Sequence, residues 1–201
     1  MTFDFKRVAL ALTAGSLWFG SALTASVFAG TQVAWAATAA RTIHVGSFPE
    51  GISSDGTHVW VANSGSNTVT ELKASTGAFV KTIPVGNAPL AVSSDGTHVW
   101  VGNYTDGTIT ELMASTGALV QTISGVSEPF AVSSDGTHVW AVNEGANTVT
   151  ERRASTGAFV ATFAVGSLPA GVSSDGTHVW VANEDANTVT ELVAKPAHNH
   201  G

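Results

Sequence analysis

The sequence predicts an all-β fold, a β-propeller of four blades with four antiparallel strands in each blade. One observation is a repeat of 40 residues: Ser53–Trp60 returns unchanged at Ser93–Trp100, Ser133–Trp140 and Ser173–Trp180. A strict period of this size is typical of stacked copies of one supersecondary unit. The other observation is that apolar and polar residues alternate within the repeat, which is the period of a strand. Four short strands in each repeat are the pattern of a propeller blade.

The first repeat shows where the strands of every blade are expected. Asp55-Gly56 ends the first strand in a tight turn, because this pair tolerates the positive φ that such turns need. The next segment is rich in β-branched and aromatic residues, as strands are. Pro84 places the fourth strand at the outer edge of the blade, because proline has no N–H to donate. The four strands are predicted at Gly51–Ser54, His58–Ala62, Thr68–Leu72 and Ala78–Val85.

The two ends of the repeat region complement each other. Arg41–Val45 matches the end of a fourth strand, and Thr188–Val193 matches a third strand after which no fourth strand follows. We expect Arg41–Val45 to pair with Thr188–Val193, because this closes the ring and removes a free sheet edge. The sequence favours closure within one chain, as a monomer. A dimeric ring of eight blades is the alternative.

The first 36 residues differ in composition from the repeats. Lys6 and Arg7 precede an apolar run over Val8–Ala29, and Ala34-Trp35-Ala36 supplies small residues for cleavage. We predict a signal peptide at 1–36, a linker at 37–40, the propeller at 41–194 and a flexible tail at 195–201. The protein is therefore expected to be secreted, periplasmic or at the cell surface. It would contact a membrane only if the segment stayed uncleaved, since the run approaches the ~20 residues that span a bilayer.

Charge and cysteine content exclude several functions. From Ala37 onward the chain has six Lys or Arg and fourteen Asp or Glu, a net charge of −8. Such a chain is not expected to bind nucleic acid, which needs clustered basic residues. The chain has no cysteine, so a thiolate metal site and a cysteine nucleophile are both excluded.

The repeat motif carries a family resemblance. Pro-x-Gly-Ile-Ser-Ser-Asp-Gly-x-x-Val-Trp-Val-Ala-Asn, followed by Asn-Thr-Val-Thr and later by Thr-Gly-x-x-Val-x-Thr-Ile-x-Val-Gly, resembles the YVTN repeat of surface-layer-type bacterial β-propellers. The resemblance covers residues 41 to 194 and implies a propeller of an exported bacterial protein. The motif is more distantly similar to streptogramin lyases, whose chemistry uses His, Glu and a divalent metal on one face. No His of this chain matches that set.

Three residue types recur in every repeat and are expected to be structural. Each His after the Asp-Gly turn is expected to bond neighbouring backbone, with a ring of four imidazoles around a metal as the alternative. Each Asp is expected to cap its own turn, and each Trp to pack between blades. They are His58, His98, His138 and His178; Asp55, Asp95, Asp135 and Asp175; and Trp60, Trp100, Trp140 and Trp180.

The repeats differ mainly in two sets of loops, which a propeller places on one face. An invariant frame with varied loops is one way in which a scaffold carries a binding site, and neutral variation at exposed positions is the alternative. The acidic side chains there favour a cationic partner or a divalent cation. The predicted ligand-binding residues are Glu50, Tyr104, Asp106, Glu128, Glu144, Glu184 and Asp185.

These loops predict binding without catalysis. They contain no His, Lys or Arg, so no Ser-His-Asp set can form there and no catalytic residue is predicted. We expect a binding module whose partner is a protein or a cell-envelope component, with no cofactor other than a divalent cation, if one binds. The alternative is a metal-dependent enzyme of the lyase or lactonase type that uses the acidic loop face.

Overall fold

The computed structural model describes residues 41 to 193; the predicted signal peptide, the linker and the tail lie outside the described residues. It contains fifteen strands in four antiparallel sheets, which confirms the all-β prediction. No helix among the described residues has the length and apolar character needed to cross a membrane. The strands are β1 Pro49–Ser54, β2 His58–Asn63, β3 Thr68–Lys73, β4 Phe79–Pro84, β5 Pro89–Ser94, β6 His98–Asn103, β7 Thr108–Met113, β8 Leu119–Ser124, β9 Pro129–Ser134, β10 His138–Asn143, β11 Thr148–Arg153, β12 Phe159–Ala164, β13 Pro169–Ser174, β14 His178–Asn183 and β15 Thr188–Val193.

Each sheet is formed by one repeat, with its strands in chain order. Sheets 1, 2 and 3 contain β1–β4, β5–β8 and β9–β12, and sheet 4 contains β13–β15. The turn after β1 forms because Asp55 Oδ1 accepts the N–H groups of Thr57 and His58 at 2.8 and 2.7 Å, while Gly56 takes a φ of 85°. Glycine adopts this conformation without the penalty that a Cβ would add. Pro84 lies in β4, which pairs with β3 alone, so this proline is on an outer edge as predicted.

The core lies between successive sheets. Trp60 of sheet 1 packs in one cluster with Val99 and Leu112 of sheet 2. Trp100 and Trp140 pack in the same way against the sheets that follow them. All three indoles are at most 1% exposed, and a buried aromatic of this size removes about 150–250 Å² from water. Each sheet therefore depends on its neighbour for burial of its largest side chain.

Hydrogen bonds join the sheets near the first strands. The Ser94 N–H donates to Ser53 Oγ at 3.0 Å, and Ser94 Oγ donates to Asp55 Oδ2 at 3.0 Å. The same pair of bonds joins sheet 2 to sheet 3, at 3.0 and 2.9 Å, and sheet 3 to sheet 4, at 3.1 and 2.6 Å. Asp55, Asp95 and Asp135 thus cap their own turns and also bind the next sheet, a second role that was not predicted.

One interface between sheets has a feature of its own. Arg152 of β11 stands where the other sheets have leucine, and it is only 7% exposed. Its guanidinium donates to the carbonyl oxygens of Ser124 at 2.8 Å and Gly125 at 3.4 Å, both in the segment that leaves sheet 2. It also donates to the Gly157 carbonyl at 3.2 Å. Burial lowers the pKa of this guanidinium from its ordinary value.

The predicted pairing of residues 41 to 45 with the last strand is not seen among the described residues. Residues 41 to 45 form no strand, and β15 pairs with β14 only. The segment lies instead against sheet 1, where Arg41 Nη1 donates to the Thr76 carbonyl at 2.6 Å. The Ile43 side chain fills the space beside Gly77, since a Cβ there would lie 2.5 Å from Ile43 Cδ1.

The packing of the buried indoles predicts a large loss of stability on truncation. We expect Trp100→Ala to lower the free energy of unfolding by about 3–5 kcal/mol, because it removes a fully buried aromatic and leaves a cavity. Trp100→Phe is the matched control and should lose less. Urea denaturation followed by circular dichroism measures both. A loss below about 1 kcal/mol for Trp100→Ala would contradict this packing.

Candidate functional site

The two sets of varied loops meet on one face of the array, as predicted. We call this surface the loop face: it consists of residues 45 to 48, 85 to 88, 125 to 128 and 165 to 168, which precede β1, β5, β9 and β13, and of the turns that join the second and third strands of each sheet. The Tyr104 N–H, in the β6–β7 turn, donates to the Ala88 carbonyl at 3.0 Å. The Asn87 N–H donates to Asp106 Oδ2 at 2.8 Å. These bonds fix the loops against each other within each repeat.

Buried asparagines hold this face together. Asn63 ends β2 and is 0% exposed. Its Oδ1 accepts the Gly46 N–H at 3.1 Å, and its Nδ2 donates to Thr70 Oγ1 at 3.0 Å. Asn143 and Asn183 bind the loops entering their own sheets in the same way. The predicted second strand ended at Ala62, before Asn63, and this role was not predicted, although an Asn recurs at the same position in all four repeats.

One position in each entering loop has an unusual backbone. The residues there have a φ of 48–49°, in the left-handed region. Non-glycine residues are uncommon in this region, and such strain persists only where the surroundings enforce it. Here the enforcing contact is the carbonyl of that residue, which accepts an N–H from the facing turn in all four repeats. The side chain itself is unconstrained by this contact and differs each time: Phe48, Ala88, Glu128 and Leu168.

Two of these side chains lie over a glycine of the facing turn. Phe48 covers Gly65, and Glu128 covers Gly145, and in both cases a Cβ on the glycine would clash with the covering side chain. Repeats with other residues at the left-handed position have Thr105 or Asp185 in place of the glycine. The large side chains at 48 and 128 are thus accommodated by the absence of a side chain opposite them.

Three of the predicted site residues meet between sheets 2 and 3. Tyr104 donates its hydroxyl to Glu144 Oε2 at 2.8 Å, and its ring lies edge-on to Phe130 with centroids 6.3 Å apart. The hydrogen bond to Glu144 raises the pKa of Tyr104, with smaller contributions from desolvation and from the negative charges of Glu144 and Glu128. We call Tyr104, Glu128 and Glu144 the acidic cluster.

The other predicted site residues lie apart from this cluster. Both carboxylate oxygens of Asp106 bind Asn87, at 2.8 Å each, beside a cavity of about 530 Å³ lined by Pro84, Thr108 and Thr122. Glu50 lies at the exposed start of β1. Glu184 and Asp185 form the β14–β15 turn of sheet 4. Within residues 41 to 193 no three His, Asp or Glu side chains are placed to hold a metal ion together.

The opposite end of each sheet carries a repeated carboxylate network. His58 Nε2 lies 3.6 Å from Glu71 Oε1, and its Nδ1 lies 3.7 Å from Asp55 Oδ2. Trp60 Nε1 donates to Asp55 Oδ2 at 3.1 Å. The expectation that each His bonds backbone is therefore corrected: the imidazole faces two carboxylates, because the register of β2 and β3 sets His58 and Trp60 beside Glu71. The repeated Glu of β3 was the signal missed.

The Asp of this network is held ionised by its partners. Burial alone would raise the pKa of Asp95, but hydrogen bonds from the His98 and Thr97 N–H groups, from Ser134 Oγ and from the Trp100 indole outweigh it. The pKa of Asp95 therefore lies below its ordinary value. The pKa values of Asp55 and Asp135 are shifted in the same direction: Asp55 has the equivalent partners, and Asp135 has all of them except the indole bond.

Comparison with known proteins identifies the architecture. Hydrazine synthase of Kuenenia stuttgartiensis is similar over 77% of this chain and 49% of its own, at 18% identity and a TM-score of 0.66. Virginiamycin B lyase from Staphylococcus aureus is similar over 77% and 54%, at 17% identity and a TM-score of 0.63. The computationally designed Ika4 protein is similar over 76% and 94%, at 15% identity and a TM-score of 0.66. No protein-family model and no curated protein matches the chain.

These similarities define the chain as a β-propeller-type repeat protein. The identities are too low to carry more than the fold, since propellers host unrelated activities on one scaffold. The chain spans about half the length of hydrazine synthase and of virginiamycin B lyase.

The Tyr104–Glu144 bond predicts a shifted tyrosine titration. Tyr104 is the only tyrosine of the chain, so tyrosinate absorbance reports it alone. We expect Glu144→Gln to lower the pKa of Tyr104 toward its ordinary value, because the charged acceptor is lost. The matched control is Glu184→Gln, at the equivalent position of sheet 4, which should leave the titration unchanged. Equal curves for both variants would contradict the contact.

The lowered pKa of Asp95 predicts an acid-dependent stability. A carboxyl whose pKa is lower in the folded state stabilises the fold above its unfolded pKa of ~3.9, and that contribution is lost as the pH falls through the folded pKa. We expect Asp95→Asn to be less stable than the parent at pH 7 and to approach it as the pH falls below the unfolded pKa and through the folded one. Urea denaturation across this range measures the difference. A difference independent of pH would contradict the assignment.

Proposed function

We propose that this chain is an exported β-propeller of the YVTN surface-layer type, which acts as a non-catalytic binding module at the cell surface or outside the cell. The loop face is its binding surface. The observation that carries the proposal is the acidic cluster: Tyr104, Glu128 and Glu144 converge on a frame that is otherwise repeated almost without change.

The frame suits binding because it is rigid while its side chains vary. Buried asparagines and paired loop carbonyls fix the backbone of the loop face. The four residues with a φ of 48–49° present four different side chains from the same backbone conformation. One of these side chains, Phe48, is 73% exposed. Binding sites gain affinity when their backbone is ordered before the partner arrives. Neutral variation would explain the differences in sequence but not the convergence of Tyr104 with two carboxylates.

Charge indicates the kind of partner. The loops of this face contain no Lys, Arg or His, so its carboxylates have no cationic neighbours from the loops themselves. An uncompensated acidic surface attracts cationic groups and speeds their association. A tyrosine beside the carboxylates adds amphipathic contact area of the kind enriched in protein interfaces. The proposed partner is therefore a basic segment of a protein or of another cell-envelope component, and nucleic acid is disfavoured.

We also propose that the propeller closes as a ring, with residues 41 to 45 as the missing outer strand of sheet 4. Among residues 41 to 193, sheet 4 has three strands where each of the others has four. An added strand would pair the free N–H and C=O groups of β15, which otherwise invite aggregation. Closure would also carry the loop face around the whole ring.

The alternative function is a metal-dependent enzyme of the lyase or lactonase type. The fold likeness to virginiamycin B lyase favours it, and the loop face supplies carboxylates. Its loops supply no His, Lys or Arg that could act as a base, and among residues 41 to 193 no three His, Asp or Glu side chains are grouped around one ion position. One tightly held divalent ion per chain, lost on replacing Glu144 and Glu184, would favour the enzyme over the binding module.

The proposal predicts salt-sensitive binding that depends on the acidic cluster. With a lysine-rich peptide as the probe, we expect Glu128→Gln with Glu144→Gln to weaken binding at least tenfold at low salt, since two attractive charges are lost. The control is Thr57→Lys with Thr97→Lys, which changes the net charge equally at exposed turns outside the loop face. Calorimetry at low and high salt measures both.

The natural partner is tested with the same pair of variants. Immobilised parent protein should capture a basic component from the envelope of the producing organism, and the cluster variant should not. If the control variant loses binding to the same extent, only net charge matters and the loop face is not the site.

A further inference from the structure

We propose that a second copy of this chain covers the two open ends of the array, so that two copies form one closed ring of eight sheets. In this ring residues 41 to 45 of each copy complete sheet 4 of the other. The inference rests on the closure proposed above and specifies which chain supplies the closing strand.

The first observation is an uncovered face on sheet 4. Trp180 is 44% exposed, whereas its three counterparts are at most 1% exposed. Val189 is 64% exposed, whereas its counterparts in the other three sheets are fully buried. The Asp175 side chain is 63% exposed, compared with 4% for Asp55 and 5% for Asp135. In the other sheets these positions are covered by the next sheet.

The second observation is the matching uncovered face on sheet 1. Ile52 is 68% exposed, whereas its counterparts Val92 and Val132 are 7% and 9% exposed. Beside it is an apolar groove of about 430 Å³, lined by Ile52, Val59 and Leu72 and bordered by residues 41 to 45. At the three interfaces within the chain, the counterparts of Ile52 and Val59 pack against the Trp of the preceding sheet, and those of Leu72 do so in sheets 2 and 4. The groove therefore has the lining that Trp180 requires.

The third observation is the position of residues 41 to 45. Ile43 fills the space beside Gly77 as Ile83 does beside Gly117 and Ile123 does beside Gly157. Arg41 donates to the carbonyl of residue 76, as Lys81 does to the carbonyl of residue 116. The segment thus lies on sheet 1 where an outer strand of a preceding sheet would lie. It lacks only the three inner strands of that sheet, and sheet 4 consists of three such strands.

One feature favours a second copy over closure within one chain. Residues 41 to 45 are already docked on sheet 1, yet Trp180 and Val189 of the same chain stay exposed. Two copies related by a twofold axis would cover both ends of both chains with one repeated interface, as closed cyclic assemblies do.

The internal interfaces predict the contacts of the new one. Asp175 Oδ2 would accept the hydroxyl of Ser54 in the second copy, as Asp135 Oδ2 accepts that of Ser174. Ser173 Oγ would accept the Ser54 N–H, as Ser133 Oγ accepts that of Ser174. Ser54 and Asp175 therefore mark the two sides of the proposed interface.

Single cysteines test the proposal directly, because the chain has none of its own. A chain with Ser54→Cys and a chain with Asp175→Cys are mixed and treated with a short thiol cross-linker. We expect a covalent dimer in the mixture and none with either chain alone, and a light-scattering mass of two chains for the untreated protein. A chain with Asp95→Cys and Ser134→Cys, at an internal interface, is the control and should link within itself.

The other outcomes separate the two proposals. If a chain carrying both Ser54→Cys and Asp175→Cys links only within itself and has the mass of one chain, the second copy is ruled out and closure is supported. If the internal control links but the terminal pair does not link in either way, both proposals are overturned.

A second pair of variants tests the interface without cysteines. Val189→Lys should shift the mass from two chains to one while the strand content stays unchanged, because it places a charge in the covered face. Val193→Lys should leave the mass unchanged, since Val193 is equally exposed at 65% but occupies the position of Lys73 and Arg153 in the other sheets. Equal masses for the two variants would count against the interface.

Discussion

The whole array depends on burial of a tryptophan between each sheet and the next. A single repeat has one apolar sheet face that it cannot cover by itself, so Trp60, Trp100 and Trp140 leave water only when the following sheet is in place. The Asp–Ser hydrogen bonds set the register of that contact. The same carboxylate also caps the turn between the first two strands of its own sheet. One side chain therefore couples the folding of a repeat to its docking on the next repeat.

This coupling separates the two ends of each sheet by function. At one end, Asp, His, Trp and Glu are nearly identical in every repeat and have no freedom to vary without loss of packing. At the loop face the contacts that fix the geometry are made by backbone groups and by the buried asparagines. Side chains such as Phe48 and Glu128 make none of these contacts and can therefore vary. The acidic cluster could form there because changing those residues leaves the packing between sheets intact.

Sequence reasoning was most successful where structure is determined locally. The strand with Trp60, the turn at Asp55 and the edge position of Pro84 all follow from neighbours in the chain. Contacts between residues far apart were missed: the approach of His58 to Glu71 depends on strand register, and that of Tyr104 to Glu144 on the docking of two sheets. Residues 41 to 45 are a similar case. The sequence indicated that the two ends of the repeat region complement each other, but it did not indicate that this segment lies against sheet 1.

The interfaces between sheets are nearly identical in sequence, so few side chains distinguish the correct neighbour of a sheet from another sheet during folding. Arg152 is an exception. Its guanidinium donates to the carbonyls of Ser124 and Gly125 of sheet 2, whereas the other sheets have leucine at this position. Loss of the acceptors of a buried donor costs on the order of 1–3 kcal/mol. Arg152 thus gives the interface between sheets 2 and 3 a polar contact that distinguishes it from the other interfaces.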